Sequence, residues 1–78
     1  MTPREKMTAL ANRQSLPALA GALALLTGNL SPEERLTRAV IIDAICAKSP
    51  AADKACEEWS ESLTDTRSMD EVIFEVLS

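Results

Sequence analysis

Histidine and tyrosine are absent from this sequence of 78 residues, and glycine occurs only twice. Without histidine, the chain lacks the side chain that most often serves as a general base or a metal ligand near neutral pH. Two glycines cannot build a glycine-rich phosphate-binding loop. A serine nucleophile would have to take Lys6, Lys48 or Lys54 as its base, and each lies near the end of a predicted helix. We therefore expect no enzymatic activity and no cofactor.

Aromatic residues and long apolar runs are also scarce. Phe74 and Trp59 are the only aromatic residues, so leucine, alanine, isoleucine and valine have to form most of the core. The most apolar segment, LPALAGALALL, has 11 residues, whereas about 20 are needed to cross a bilayer. No signal peptide is recognisable near the start of the sequence. These features predict a cytoplasmic protein with no membrane segment.

Cysteine occurs twice, as Cys46 and Cys56. In a cytoplasmic protein, two such cysteines are more often reduced and buried than bridged, and a disulfide between adjacent helices is the alternative. Two thiols without histidine provide too few ligands for a metal ion, so the sequence predicts no metal site.

Charge is spread unevenly along the chain, whose net charge is −4. Residues 1–39 carry five basic and three acidic side chains, whereas residues 40–78 carry three basic and nine acidic ones. An acidic half is repelled by nucleic acid and by anionic lipid. It can keep the protein soluble, or it can meet a basic patch on a partner protein.

Hydroxyl residues followed three positions later by a carboxylate mark the starts of helices. TPRE, SPEE and SMDE have this spacing, and SPAAD is one residue longer. The hydroxyl accepts a hydrogen bond from a free backbone N–H of the first turn, and proline fits the first helical position. With a weaker start at Ser15, these signals predict a single domain over 1–78, an all-α compact bundle of four to five short helices. The predicted helices are 3–13, 16–27, 32–48, 51–63 and 69–77.

The distribution of apolar residues predicts how these helices pack. The helix at 16–27 has no charged residue on any side, which is typical of a helix buried at the centre of a bundle. The helix at 51–63 is amphipathic, with Trp59 and Leu63 expected to face inward. We expect the Trp59 side chain to be the largest single burial in the fold.

Asp43 interrupts the apolar run AVIIDAICA. In one interpretation it faces solvent along a thin stripe formed by Ala39 and Ala47, one turn away on either side. In the other it lies in an interface and pairs with Arg13 or Arg35, because a buried carboxylate without a partner is prohibitively costly. The flanking alanines favour the first interpretation.

Ile41 and Ile45 share a helix face with the charged residues Glu34 and Arg38. Together with the alanines of the helix at 16–27, the two isoleucines indicate more apolar surface than one bundle of this size can hide. We therefore expect either a homodimer or a docking surface for another protein.

With catalysis set aside, the sequence predicts a small non-catalytic module for protein–protein interaction, acting as an adaptor, inhibitor or regulator. Such chains are common among phage- and plasmid-encoded proteins that block a host enzyme, which is an association and not an inference from residues. The partner protein would dock on the apolar pair Ile41 and Ile45 or on the acidic helices. The acidic candidates for this contact are Glu57, Glu58, Glu61, Asp65, Asp70, Glu71 and Glu75.

Helix-turn-helix DNA binding is the alternative function. The helices at 16–27 and 32–48 have suitable lengths, and the N-terminal half of the chain is the basic half. However, the second of these helices opens with Glu33 and Glu34, at the end that would meet bases and phosphates. Arg35 and Arg38 alone make a small basic footprint, so DNA binding is the weaker of the two predictions.

Overall fold

The computed structural model describes residues 2–77, which form five α-helices and no strand. The helices are α1 (Pro3–Asn12), α2 (Leu16–Leu25), α3 (Pro32–Lys48), α4 (Pro50–Glu61) and α5 (Met69–Leu77). The all-α class is confirmed, and each helix begins and ends within two residues of its predicted position. Among residues 2–77, none of the helices combines the length and the apolar character needed to cross a bilayer.

A hydroxyl side chain begins each helix, as the sequence predicts. At Ser31 the full reciprocal arrangement is present, because its hydroxyl accepts from the Glu34 N–H while the Glu34 carboxylate accepts from the Ser31 N–H. Hydrogen bonds that the Glu34 carboxylate accepts from Ser31, from the backbone N–H first and from the side chain second, hold the pKa of Glu34 below its ordinary value. The hydroxyls that accept a first-turn N–H are those of Thr2, Ser15, Ser31, Ser49 and Ser68.

The longest helix, α3, lies at the centre of the bundle. It packs against α1, α2 and α4, while α5 packs against α4 and α2. This corrects the expectation that α2 is the buried central helix. Only one side of α2 is buried, through Leu19 and Leu23, and Leu25 on another side is 84% exposed. Since α3 is 17 residues long and α2 only 10, α3 offers the larger surface for other helices to cover.

Aliphatic side chains from three different helices form the centre of the core. Leu23, Ile45 and Ile73 are the largest side chains that are fully buried. Trp59 is only partly buried, and its Nε1 donates a hydrogen bond of 2.6 Å to the Arg67 carbonyl oxygen. Trp59 is therefore not among the fully buried side chains, because the indole N–H needs a polar partner at the edge of the fold.

Leu63, predicted to face the core, is 100% exposed. Helix α4 ends at Glu61, and the following Ser62 adopts an extended backbone conformation. The Ser62 hydroxyl then accepts hydrogen bonds from the N–H groups of Thr64 and Asp65. This turn carries Leu63 away from the inner face that it would occupy if the helix continued.

Asp43 lies on the surface, as the flanking alanines predict. Its side chain is 69% exposed and its Oδ2 lies 3.2 Å from Nη2 of Arg4. The predicted partners Arg13 and Arg35 are not used. The contact joins residues 39 positions apart in sequence, so it depends on how α1 lies across α3 and not on any local pattern.

Candidate functional site

An open apolar groove, which we call the α1–α2 groove, lies between α1 and α2 with α3 as its floor. Its volume is about 300 Å³. The lining comes from α1 (Met7, Leu10 and Ala11), from the connection that follows it (Gln14), from α2 (Ala18, Leu19 and Ala22) and from α3 (Thr37, Val40 and Ile41). Gln14 and Thr37 are the only polar side chains in this lining, and none is charged. The groove can therefore bind an apolar surface.

Helical spacing brings the apolar side chains of each wall onto one face. On α1, Met7, Leu10 and Ala11 lie three and four positions apart, so they project from the same side of the helix. On α2, Ala18 and Ala22 lie four positions apart and also share one side of the helix. Leu10 is 60% exposed and Leu25 is 84% exposed, so both helices hold a large apolar side chain in water.

Two basic side chains border the groove on its α1 side. Beyond Leu10, the surface continues into a shallow depression lined by Lys6, Ala9 and Arg13. Lys6 and Arg13 are exposed, and neither forms an ion pair with any residue of the described chain. The opposite wall, α2, contains no charged residue at all.

Comparisons of this chain with protein families, curated proteins and solved structures find no match. The assignment of a function to the groove therefore depends on its own chemistry.

The two isoleucines predicted to form a docking face are instead part of the core. Ile45 is fully buried, and Ile41 is 7% exposed at the floor of the α1–α2 groove. The prediction of a surface formed by this pair is wrong, because the neighbouring helices cover that side of α3 within one molecule. Arg38, which the sequence places on the same side, pairs with Asp70 of α5.

The predicted acidic surface is partly neutralised by contacts within the molecule. Four of its seven carboxylates lie in ion pairs: Asp70 with Arg38, Glu58 with Lys54 at 4.0 Å, and both Asp65 and Glu75 with Arg67. The other three, Glu57, Glu61 and Glu71, are exposed and make no ion pair within residues 2–77. Asp65 and Glu75 thus hold the loop between α4 and α5 through Arg67. The three exposed carboxylates face solvent.

Arg67 lowers the pKa of the neighbouring Asp65 carboxyl. Its hydrogen bonds, from the side chain first and the backbone second, lower the pKa of Asp65 from 3.8 to about 2. Because the folded value lies below the unfolded one, this contact stabilises the loop above about pH 4, and the contribution is lost as the pH falls towards 2.

We expect an NMR titration of the Asp65 side-chain carboxyl to have its midpoint near pH 2. Arg67→Gln removes the charge and most of the donors, so the midpoint should rise towards the ordinary value of about 3.9. Arg35→Gln removes a cation that makes no ion pair with the described part of the chain, and it should leave the midpoint unchanged. A midpoint near 4 in the unaltered protein would show that Arg67 does not hold Asp65.

Cys46 on α3 and Cys56 on α4 are free thiols, each partly buried. Burial, followed by the adjacent Cys56 thiol, raises the pKa of Cys46 to about 11. Cys46 is therefore protonated near neutral pH and is a poor nucleophile. Within residues 2–77, no group of three or more cysteine or carboxylate side chains is placed to hold a metal ion.

Apart from Ile41, the residues of the α1–α2 groove were not among the predicted site residues. Their signal in the sequence was partial: Met7, Leu10 and Ala11 have the spacing of one helix face. The absence of any polar side on α2 predicts burial, but it equally fits a helix with one buried and one exposed apolar face. Only the positions of α1 and α3 show which of these two arrangements the helix adopts.

Proposed function

We propose that this protein is a non-catalytic interaction module that binds a helix of another protein in the α1–α2 groove. The observation that carries the proposal is the exposure of Leu10 in the wall of an open apolar groove. Exposed apolar surface is costly in water, and in soluble proteins a contiguous apolar patch is a feature of interaction sites. Burying Leu10 and the groove lining against a partner would remove this cost.

A helix is the ligand that fits this geometry best. The groove is bounded by two helices and floored by a third, so it presents side chains and no unpaired strand edge. A groove of this kind takes an amphipathic helix through apolar anchors three, four and seven positions apart. The small side chains of Ala18 and Ala22 leave room for such a helix to lie close to α2.

The acidic surface and DNA binding have less support as primary functions. Several of the acidic side chains are engaged by Arg38, Lys54 and Arg67 of the same molecule. A recognition helix needs one long exposed face, whereas α3 is packed against three other helices. No observation on the described residues favours DNA binding over protein binding.

We expect helical peptides selected for binding from a phage-displayed library to occupy the α1–α2 groove. Leu10→Asp, which places a charge in the apolar wall, should weaken the selected peptides by about 30-fold, the effect of losing one central apolar contact. The affinities are measured by fluorescence anisotropy with the purified full chain.

Leu63→Asp is the matched control, because Leu63 is a fully exposed leucine outside the groove. It should leave the affinities within about twofold, since an exposed side chain outside the interface contributes little. Circular dichroism confirms that both variants fold. Peptides that bind Leu10→Asp as well as the unaltered protein, or a selection that yields none, would contradict the proposal.

A further inference from the structure

Resting on the proposed function, we propose that the partner helix carries acidic side chains beside its apolar stripe, on the side that meets α1. The proposal comes from the charges that border the α1–α2 groove. One border is basic, the other is neutral, and the lining between them is apolar.

The basic border is formed by cations that make no ion pair within residues 2–77. Lys6 and Arg13 flank Leu10, one helical turn away on either side. Arg4 on the same helix differs from them, because it already pairs with Asp43 of α3. Carboxylates on a bound helix would lie opposite Lys6 and Arg13 and would give the complex complementary charge.

The other charges near the groove set the orientation of the ligand. Helix α2 has no charged residue, so it neither attracts nor repels an acidic side chain. Because the cations lie on the α1 border, the acidic side of the ligand faces α1.

A second copy of this chain is a poorer occupant of the groove. A two-fold dimer through this face would place the groove-facing sides of α1 and α2 from both molecules in the interface. These sides carry Lys6 and Arg13 at their border but no carboxylate. The dimer would therefore gather four cations with nothing from the two walls to neutralise them.

Two labelled peptides of about 12 residues, roughly 18 Å long as helices, test the inference. Both have leucines three, four and seven positions apart on one face. The acidic peptide has glutamates on both flanks of this stripe, and the basic peptide has lysines at the same positions. Their affinities for the full chain are measured by fluorescence anisotropy at about 50 mM and about 300 mM salt, because screening weakens exposed charge pairs.

The acidic peptide should bind at least about tenfold more tightly than the basic one at low salt, and the difference should shrink at high salt. The double substitution Lys6→Glu and Arg13→Glu should reverse the preference. The matched control, Arg35→Glu, changes one exposed cation that is not part of the groove and should preserve it.

The remaining outcomes separate this inference from the proposed function. If both peptides bind equally and Leu10→Asp abolishes the binding of both, the inference of an acidic ligand is overturned. The proposal that the groove binds a helix then stands. No binding of either peptide to the unaltered protein overturns both. Sedimentation of the unaltered protein as a dimer that Leu10→Asp dissociates would show that a second copy fills the groove, which also overturns the inference.

Discussion

Ile45→Ala is expected to lower the free energy of unfolding by about 3 kcal/mol, within the usual range of 2–5 for such a truncation. Ile45 is fully buried in the central helix α3, within the core cluster that includes Leu23 and Ile73. The truncation removes apolar contacts and leaves a cavity that the surrounding helices cannot close. A domain of this length has a total stability of about 4–12 kcal/mol, so the variant loses a large share of it.

Urea denaturation followed by far-ultraviolet circular dichroism measures this loss, with Leu63→Ala as the matched control. Leu63 is as large as Ile45 but fully exposed, so its truncation should change the free energy of unfolding by less than about 0.5 kcal/mol. Similar effects of the two substitutions would contradict the burial of Ile45. An effect of Leu63→Ala larger than that of Ile45→Ala would place the core elsewhere.

Asp70→Ala is expected to destabilise the protein by about 2 kcal/mol, between the small effect of breaking a surface ion pair and that of breaking a buried one. Asp70 is in the first turn of α5 and pairs with Arg38 of α3. The two side chains are 15% and 27% exposed respectively. The pair ties the last helix to the central one, and removing the carboxylate leaves the guanidinium partly buried without a partner.

Glu71→Ala is the control for this prediction, because Glu71 also lies in the first turn of α5 but is exposed and makes no ion pair within residues 2–77. Both substitutions lose a favourable interaction with the helix dipole, worth about 0.3–1 kcal/mol. Only Asp70→Ala also breaks the contact with Arg38. A double-mutant cycle with Arg38→Ala isolates the coupling, and a coupling near zero would show that the pair adds no stability.

Helix starts could be predicted from the sequence because their causes are local. A hydroxyl such as that of Ser31 or Ser49 bonds to an N–H only three residues away, so the interaction exists whatever the rest of the chain does. Proline in the first turn has the same property, because its fixed backbone angle already suits a helix. These signals placed all five helices within two residues of their observed ends.

The side that each helix buries was harder to predict. Helix α2 is apolar on every side, so its own sequence does not specify which side faces the core. In the fold, Leu19 and Leu23 face inward, while Leu25 remains in water. Ile41 and Ile45 show the reverse error: together with the alanines of α2 they indicate more apolar surface than one bundle can hide, but both are buried within one molecule.

The candidate site depends on three helices at once, and for this reason it could not be read from any one of them. Each wall is recognisable only as an apolar helix face, a pattern that most often marks a core. The groove exists because α1 and α2 both pack on α3 and leave space between them. Lys6 and Arg13 acquire their significance from this arrangement, since along the sequence they are ordinary surface cations.

By itself, the sequence determined the helical class, the helix ends and the division into a basic and an acidic half, because capping, backbone restriction and charge act over a few residues or are fixed by composition. The tertiary structure alone decided that α3 is central, that Arg4 and not Arg13 pairs with Asp43, and that Leu10 and Leu25 stay in water. These outcomes depend on how the helices pack against one another, and that packing is determined by contacts between residues far apart in the chain.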